Sequence, residues 1–170
     1  MGYKKLKKLK AGKPWKRDHS FNVGTFAVNV IAHRTFDQGK DVKDRGFKPY
    51  SKKAIYIPTK GVMPKPKGGK LSRTGKSMLF KRGYRQYKFR ALGYARVTLT
   101  ASGALRRSFR VLKVSRKRDQ VSIGIAGDPR LYGLAINETR EWIGVSPKDR
   151  AKIRRYFKRV VNMVFRRPKR

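Results

Sequence analysis

The chain has 170 residues, of which 47 are Lys or Arg and nine are Asp or Glu, so its formal net charge is +38. Self-repulsion of such an excess opposes compaction, and the charge therefore predicts a polyanionic partner: nucleic acid, an acidic protein surface, or both. Cysteine is absent, which excludes disulfides, thiolate metal sites and cysteine nucleophiles. Charged residues interrupt every apolar run, so the sequence predicts no membrane-spanning helix and no membrane partner.

The first 19 residues form a basic segment, with Lys4, Lys5, Lys7 and Lys8 inside its first half. Two interpretations of residues 1–19 remain open. The segment is a solvated, disordered tail, or it is an arm that becomes ordered on a polyanion. In the second interpretation the four lysines are candidate contacts to a polyanion or an acidic partner.

Residues 20–38 are predicted to form the first helix, with Ser20 as its N-cap and Gly39 as its stop. Apolar side chains recur with the spacing of one helical face, at Val23, Phe26, Ala27, Val30 and Ile31. Alternating apolar residues at 26, 28 and 30 keep a strand open as the alternative for this segment.

Residues 40–90 are rich in basic residues, Gly and Pro, with seventeen Lys or Arg against two Asp. Pro58, Pro64 and Pro66 oppose a long helix or a central strand in this part of the chain. Residues 58–76 are therefore predicted to form a long basic loop, and a loop of that length is usually functional or disordered.

An aromatic and basic stretch follows this loop. Its basic residues Arg82, Arg85, Lys88 and Arg90 are interleaved with Tyr84, Tyr87, Phe89 and Tyr94. Such a stretch can stack bases and pair with phosphates, which makes Arg82, Arg85 and Lys88 candidate polyanion contacts. The same pattern is consistent with a strand edge whose aromatic side chains pack inward.

Residues 96–100 alternate as a strand, and residues 102–108 predict a short helical turn. Residues 109–114 and 121–125 alternate between apolar and other side chains on either side of a charged turn, which predicts a β-hairpin. Residues 131–138 are predicted to begin another short helix.

The clearest element is a closing amphipathic helix of about five turns. Ser146, Pro147 and Asp149 fit the N-cap, N1 and N3 positions of its start. The apolar side chains, expected to face the sheet, are Ile153, Phe157, Val160 and Val164. The basic side chains, candidate contacts to a polyanion or acidic partner, are Arg154, Arg155, Lys158 and Arg159, joined by Arg166 and Arg167 in a basic tail at 166–170.

No catalytic or metal-binding constellation is recognisable. His19 and His33 lack the spacing of a zinc motif, and the nine carboxylates form no acid–base pair motif. Residues 74–77 (TGKS) resemble the end of a phosphate-binding P-loop, but Lys70 stands where that motif requires Gly. The sequence therefore predicts no enzyme, no cofactor, no metal ion and no small-molecule substrate.

Several short motifs follow one another along the chain. They are GFKPYS at 46–51, LTASGALRRSF at 99–109, VSIG at 121–124, YGLAIN at 132–137 and REWIGVSPKD at 140–149. In order and spacing they resemble bacteriophage virion-morphogenesis proteins, the Mu-type tail-completion group related to siphophage neck proteins. The resemblance implies packing or interface roles, and no catalytic ones, for Ser102, Gly103, Leu105, Trp142 and Gly144.

The predicted elements and the resemblance lead to one fold class. It is α+β, an antiparallel sheet with an N-terminal helix and a C-terminal amphipathic helix. Residues 20–165 are expected to form a single domain that includes the long loop at 58–76. The arm at 1–19 and the tail at 166–170 lie outside that domain.

The resemblance implies a structural virion protein that acts in tail completion or head–tail joining. Such proteins assemble as rings, which implies a homo-oligomer such as a hexamer at the neck or tail top. The implied partners are acidic neck, portal or tail subunits, with double-stranded DNA as a further contact. The implied location is the virion neck or tail, after assembly in the host cytoplasm.

Two other classes of protein remain open on composition. A ribosomal protein that binds rRNA through basic tails would combine many Lys and Arg residues, no cysteine and interleaved aromatic residues in the same way. A DNA-condensing or packaging-associated protein is the third possibility.

Overall fold

The computed structural model describes residues 15–61, 65–94, 97, 99, 103–115 and 120–165. Its elements in chain order are α1 (Arg17–Ala32), a π-helical turn (His33–Asp37), β1 (Ile55–Pro58), β2 (Lys70–Leu71), β3 (Ser77–Phe80), α2 (Gly83–Leu92), α3 (Ala104–Ser108), β4 (Phe109–Ser115), β5 (Gln120–Ile125), α4 (Pro129–Arg140) and α5 (Pro147–Phe165). Helices stand at both ends of this order and the strands pair antiparallel, which confirms the predicted α+β class.

Two regions carry separate sheets. We call residues 48–94, with β1–β3 and α2, the insert. We call the other described residues, with α1, the π-helical turn, α3, α4, α5 and the β4–β5 hairpin, the body. The predicted hairpin at 109–125, the helical turn at 102–108 and the helix at 131–138 are confirmed as β4–β5, α3 and α4.

Helix α1 lies between the β4–β5 hairpin and α5. Gly24 permits the close approach to the hairpin, because a Cβ there would stand 2.5 Å from Cγ1 of Val121 and 3.0 Å from Cγ2 of Val111. Toward α5, the ring of Phe26 stacks on that of Tyr156, with centroids 4.1 Å apart. The apolar residues of α1 therefore pack against both the β4–β5 hairpin and α5.

Three aromatic rings form the centre of the body. The ring of Trp142 lies 5.4 Å from Phe36 and 5.5 Å from Phe109, between centroids. The indole N–H donates to the carbonyl of Gly133 at 3.2 Å, so the polar group of this fully buried side chain is satisfied. Truncating a buried Trp or Phe to Ala typically costs about 3–5 kcal/mol, so this cluster is a principal source of stability.

The insert has its own small core. Its three-stranded antiparallel sheet has the order β1–β3–β2, and α2 packs on β3. Phe80 of β3 and Tyr87 of α2 are buried against each other, with ring centroids 5.5 Å apart. Pro58 ends β1, an edge strand, which is a position where a missing backbone N–H is tolerated.

Arg140 of α4 links the body to the insert. Its guanidinium lies over the ring of Phe47 and over the ring of Tyr50, at 5.7 and 5.3 Å from their centroids. It also donates to the carbonyl of Lys48 at 3.2 Å. The first residues of the insert are therefore fixed to the C-terminal end of α4.

Several boundaries and elements differ from the sequence-based predictions. Helix α1 begins at Arg17, inside the segment assigned to the arm, and the backbone N–H of its N-cap Lys16 donates to Nδ1 of His19 at 3.0 Å. Ser20 is inside the helix, where its hydroxyl accepts a hydrogen bond from the indole of Trp15 at 2.7 Å. The strand alternative for 20–38 is therefore wrong.

The region predicted as a loop and a strand edge is also more regular than expected. Strand β2 lies within residues 58–76, and the aromatic and basic stretch forms helix α2 rather than a strand edge. The predicted strand at 96–100 falls mostly outside the described residues, and Val97 and Leu99 belong to no strand.

The closing helix is confirmed, but its packing differs from the prediction. Helix α5 packs on α1, which itself covers the hairpin, so the expectation that its apolar side chains face the sheet is wrong. Val160 is buried, whereas Phe157 is 44% exposed and lies beside Trp15, with centroids 5.7 Å apart.

Candidate polyanion-binding surfaces

The outer side of α5 is a basic face. Arg154, Arg155, Lys158 and Arg159 are all exposed, as the helical periodicity predicts. Within the described part of the chain, no ion pair involves any of these four side chains. The face is therefore open to an external anion.

The predicted contacts at both ends of the chain lie outside the described residues. These are Lys4, Lys5, Lys7 and Lys8 near the start, and Arg166 and Arg167 near the end. The described ends lie close together, since the ring of Trp15 stacks parallel to that of Phe165 with centroids 6.5 Å apart.

A second basic surface is a groove of about 610 Å³ along α2, which we call the α2 groove. It is lined by Gln86 and Phe89 and by five cationic side chains, Lys52, Lys81, Arg82, Arg85 and Arg90. Arg85 and Phe89 are four residues apart in α2, so they project to the same side of the helix, and Arg82, the residue before the helix, lines the same groove. Phe89 is 55% exposed in the middle of these charges.

Gly83 explains how Lys52 comes to lie beside α2. Its φ is +68°, and a Cβ there would collide with the carbonyl oxygens of Ser51 and Lys53. Glycine therefore lets the segment that carries Lys52 pack directly on the first turn of α2. Gly68 also lies close to α2, because a Cβ there would stand 3.2 Å from Cδ of Arg90.

Lys88 was predicted to contact a polyanion, and its position contradicts that role. The side chain is 1% exposed, and its ammonium donates to the hydroxyl of Tyr50 at 2.9 Å. The same ammonium lies 5.1 and 5.2 Å from the ring centroids of Tyr50 and Tyr94, at cation–π distance. Lys88 is on the aromatic face of α2, so it belongs to the core of the insert.

Two tyrosines of the insert, Tyr84 and Tyr87, remain neutral at physiological pH. Burial raises the pKa of Tyr84 and of Tyr87 above the ordinary value of 10.0, and for Tyr84 the neighbouring Tyr50 adds to the effect. Residues 45–118 contain no Asp or Glu. The described part of the insert therefore presents a surface whose ionised groups are all positive.

A buried ion pair joins the π-helical turn to the first turn of α5, and the sequence did not predict it. Nε of Arg34 donates to Oδ2 of Asp149 at 2.7 Å, and the two side chains are 3% and 4% exposed. Arg34 also donates to the carbonyls of Lys40, Trp142 and Gly144. The guanidinium thus ties the π-helical turn to the segment before α5 and to the start of α5 itself.

Asp149 has a second role at the start of α5. Its backbone N–H donates to the Ser146 hydroxyl at 3.1 Å, and its carboxylate accepts from the Ser146 backbone N–H at 3.2 Å. This is the reciprocal capping arrangement expected from the sequence. One carboxylate therefore serves both the cap and the ion pair.

The motif residues that the structure describes have packing roles. Leu105 and Trp142 belong to the buried cluster. Gly103 is the N-cap of α3 with φ of 78°, and Gly144 has φ of 149° with Cγ1 of Val42 only 2.9 Å from the place of a Cβ. Both glycines therefore hold conformations that disfavour other residues. Ser102 lies outside the described residues.

Other carboxylates of the body are engaged in local pairs. Burial opposes ionisation of Asp41, but hydrogen bonds from the backbone and guanidinium of Arg45 and from the backbone of Lys43 outweigh it. The pKa of Asp41 therefore lies below its usual 3.8. Among the described residues, no three His, Cys, Asp or Glu side chains form a group that could hold a metal ion.

The described helices include none that is long and apolar enough to cross a bilayer. No protein-family model, curated protein or solved structure matches the chain. The α5 face and the α2 groove are both arrays of exposed cations, and the groove also contains an exposed aromatic ring. Such arrays are suited to binding anions.

Proposed function

We propose that this protein is a structural, non-enzymatic subunit of a tailed-phage virion, acting in tail completion or head–tail joining. It works as a member of a ring at the neck or tail top and assembles in the host cytoplasm. The observation that carries the proposal is the ordered run of motifs between residues 99 and 149, which resembles the virion-morphogenesis family.

The packing of those motifs is consistent with one architectural unit. Leu105 from the first motif, Ile125 beside the hairpin motif and Trp142 from the last belong to one buried cluster. The carboxylates Asp37, Asp41 and Asp149 are held in pairs with arginines, which suits a structural role for these groups.

The charge favours acidic protein partners in addition to DNA. A collar about 40 Å long around duplex DNA meets only about 24 phosphates, at one per roughly 1.7 Å. A six-membered ring would carry six times the +38 of one chain, which exceeds those phosphates about tenfold. The exposed face Arg154, Arg155, Lys158 and Arg159 therefore contacts carboxylate-rich portal, neck or tail subunits.

Cross-linking mass spectrometry on purified particles tests this function. The protein is expected at the junction of head and tail, with α5 cross-linked to an acidic subunit. In a deletion phage, Arg155→Glu/Arg159→Glu is expected to leave heads and tails unjoined, whereas the charge-matched control Lys60→Glu/Arg73→Glu restores joining. Absence from particles, or an α5 face that touches nucleic acid alone, would overturn the proposal.

A second candidate function is rRNA binding as a ribosomal protein. The observation that favours it is the insert, whose described surface combines exposed aromatic residues with basic residues and no carboxylate. Co-sedimentation with ribosomal subunits in high salt is the measurement that would favour this candidate over the virion role.

A further inference from the structure

We propose that the α2 groove is a binding site for single-stranded nucleic acid, with Phe89 stacking on an unpaired base and the surrounding cations holding phosphates. This activity is separate from the assembly role proposed above and stands if that role is wrong. It is argued from the charge, the exposed ring and the shape of the groove.

The charge of the groove is positive without compensation from the sequence around it. Its five cationic side chains come from a 74-residue stretch, 45–118, that contains no Asp or Glu. Three of the five are arginines, whose planar guanidinium groups can bind phosphate oxygens in a bidentate manner.

The exposed ring distinguishes this groove from a plain basic patch. Phe89 lies one helical turn beyond Arg85, so the ring and that guanidinium are neighbours on α2, and Arg82, just before the helix, lines the same groove. Its neighbour Gln86 adds an amide, and the Oε1 atom of that amide accepts the Arg82 backbone N–H at 2.9 Å. Alternating cations and an aromatic platform are the recurring elements of single-strand binding grooves.

An unpaired strand fits these features better than a duplex or an acidic peptide. Bases in a duplex are already stacked on each other, so an aromatic ring on a protein surface gains a base contact only where bases are unpaired. A carboxylate-rich peptide would use the cations but would leave Phe89 without a stacking partner. Gly83 lets the backbone at Lys52 pack against the first turn of α2, which places Lys52 along the same groove as Arg85 and Arg90.

Fluorescence anisotropy with the full-length protein tests the role of Phe89. The probe is a labelled oligothymidylate of about twelve nucleotides, within the range of known single-strand site sizes. Phe89→Ala is expected to weaken binding roughly tenfold to a hundredfold, and Phe89→Tyr to restore it. Tyr56→Ala is the matched control, since Tyr56 is 63% exposed on the same insert but does not line the groove, and it is expected to bind as wild type.

Salt dependence tests the cations. For single strands, each phosphate neutralised contributes about −0.7 to the slope of log K against log salt. Arg82→Gln/Arg85→Gln is expected to reduce that slope by about 1.4, while Lys60→Gln/Arg73→Gln, outside the groove, changes it by less than half as much. Equal changes for the two pairs would mean diffuse attraction and would overturn the proposal.

Two further probes identify the class of ligand. If Phe89→Ala weakens binding to a duplex of matched length as much as to the single strand, the stacking role is wrong. If polyglutamate binds with the same dependence on Phe89, the groove is a docking site for acidic protein and the proposal fails. Far-UV circular dichroism confirms that each variant is folded, and the Phe89→Tyr rescue separates stacking from damage to α2.

Discussion

The body and the insert each bury a cation, and they stabilise it in different ways. In the body, Arg34 is paired with the carboxylate of Asp149 and three backbone carbonyls. In the insert, Lys88 is held by a tyrosine hydroxyl and by the faces of two tyrosine rings. The body stabilises its buried cation with a carboxylate. The insert does so with tyrosines and contains no carboxylate, so the ionised groups on its described surface are all positive.

The largest expected loss of stability comes from removing the buried ion pair. Arg34→Met removes the partner of a carboxylate that is 4% exposed, and an uncompensated buried charge typically costs about 3–5 kcal/mol. Urea denaturation should show this loss in the free energy of unfolding. The double variant Arg34→Met/Asp149→Asn, which keeps a capping acceptor, should recover part of it. A single variant within about 1 kcal/mol of wild type would contradict the pairing.

The next largest effect is expected from a substitution at Gly24, where α1 approaches the hairpin closely. Alanine normally stabilises a helix by about 1 kcal/mol relative to glycine. Gly24→Ala should nevertheless destabilise the protein by about 1–2 kcal/mol, because the new Cβ overlaps Val121, whose branched side chain has few other rotamers. Thermal unfolding checks the sign, with Gly46→Ala, where nothing lies within 4 Å, as the control. A stabilised Gly24→Ala variant would mean that α1 and the hairpin are further apart.

The insert should respond more weakly than the body to the same type of substitution. Lys88→Met removes a cation whose described partners are a hydroxyl and two ring faces rather than a carboxylate, so the expected cost is about 0.5–2 kcal/mol. Hydrogen exchange of the α2 amides measures the change locally. If Lys88→Met lowers stability as much as Arg34→Met does, the two buried cations are not stabilised in different ways.

The smallest expected effect concerns pH. Burial opposes ionisation of Asp37, but the hydrogen bonds and charge interactions of Arg106 and His33 together outweigh it, so the pKa lies below 3.8. A depressed carboxyl pKa contributes stability that is present above the unfolded value and lost as pH falls through the folded value. Protection of the π-helical turn should therefore decrease below about pH 4, by a few tenths of a kcal/mol, and Asp37→Asn should remove this dependence. Protection of α2 should lack a comparable step, because residues 45–118 contain no carboxylate.

The elements of the body were largely predictable because each has a strong local pattern. The hairpin alternates, and α5 carries a capping sequence and a clear apolar face. The strands of the insert span two to four residues, which is too short for a periodic signal, and its prolines favoured a loop. Which face of α1 meets α5 and which meets the hairpin is a tertiary property that the pattern does not contain.

The missed site residues had weaker signals. Arg34 continues the apolar face of Ala27 and Ile31, which indicates burial, but its partner is 115 positions away. Lys88 shares a helical face with Tyr84, Tyr87 and Ala91, and interpreting the stretch as a helix would have placed it inward. Phe89 falls on the opposite, basic face by the same periodicity.

The contact between Trp15 and Phe165 brings the first and last described residues of the chain together. The segments that carry Lys4, Lys5, Lys7 and Lys8 and that carry Arg166 and Arg167 leave the described chain beside a single pair of stacked rings. On the prediction that both segments bind a polyanion, a polyanion bound by one segment becomes an intramolecular ligand of the other, so the second contact forms at a high effective concentration. Two basic segments that are far apart in sequence would thus bind with avidity, as one bivalent unit.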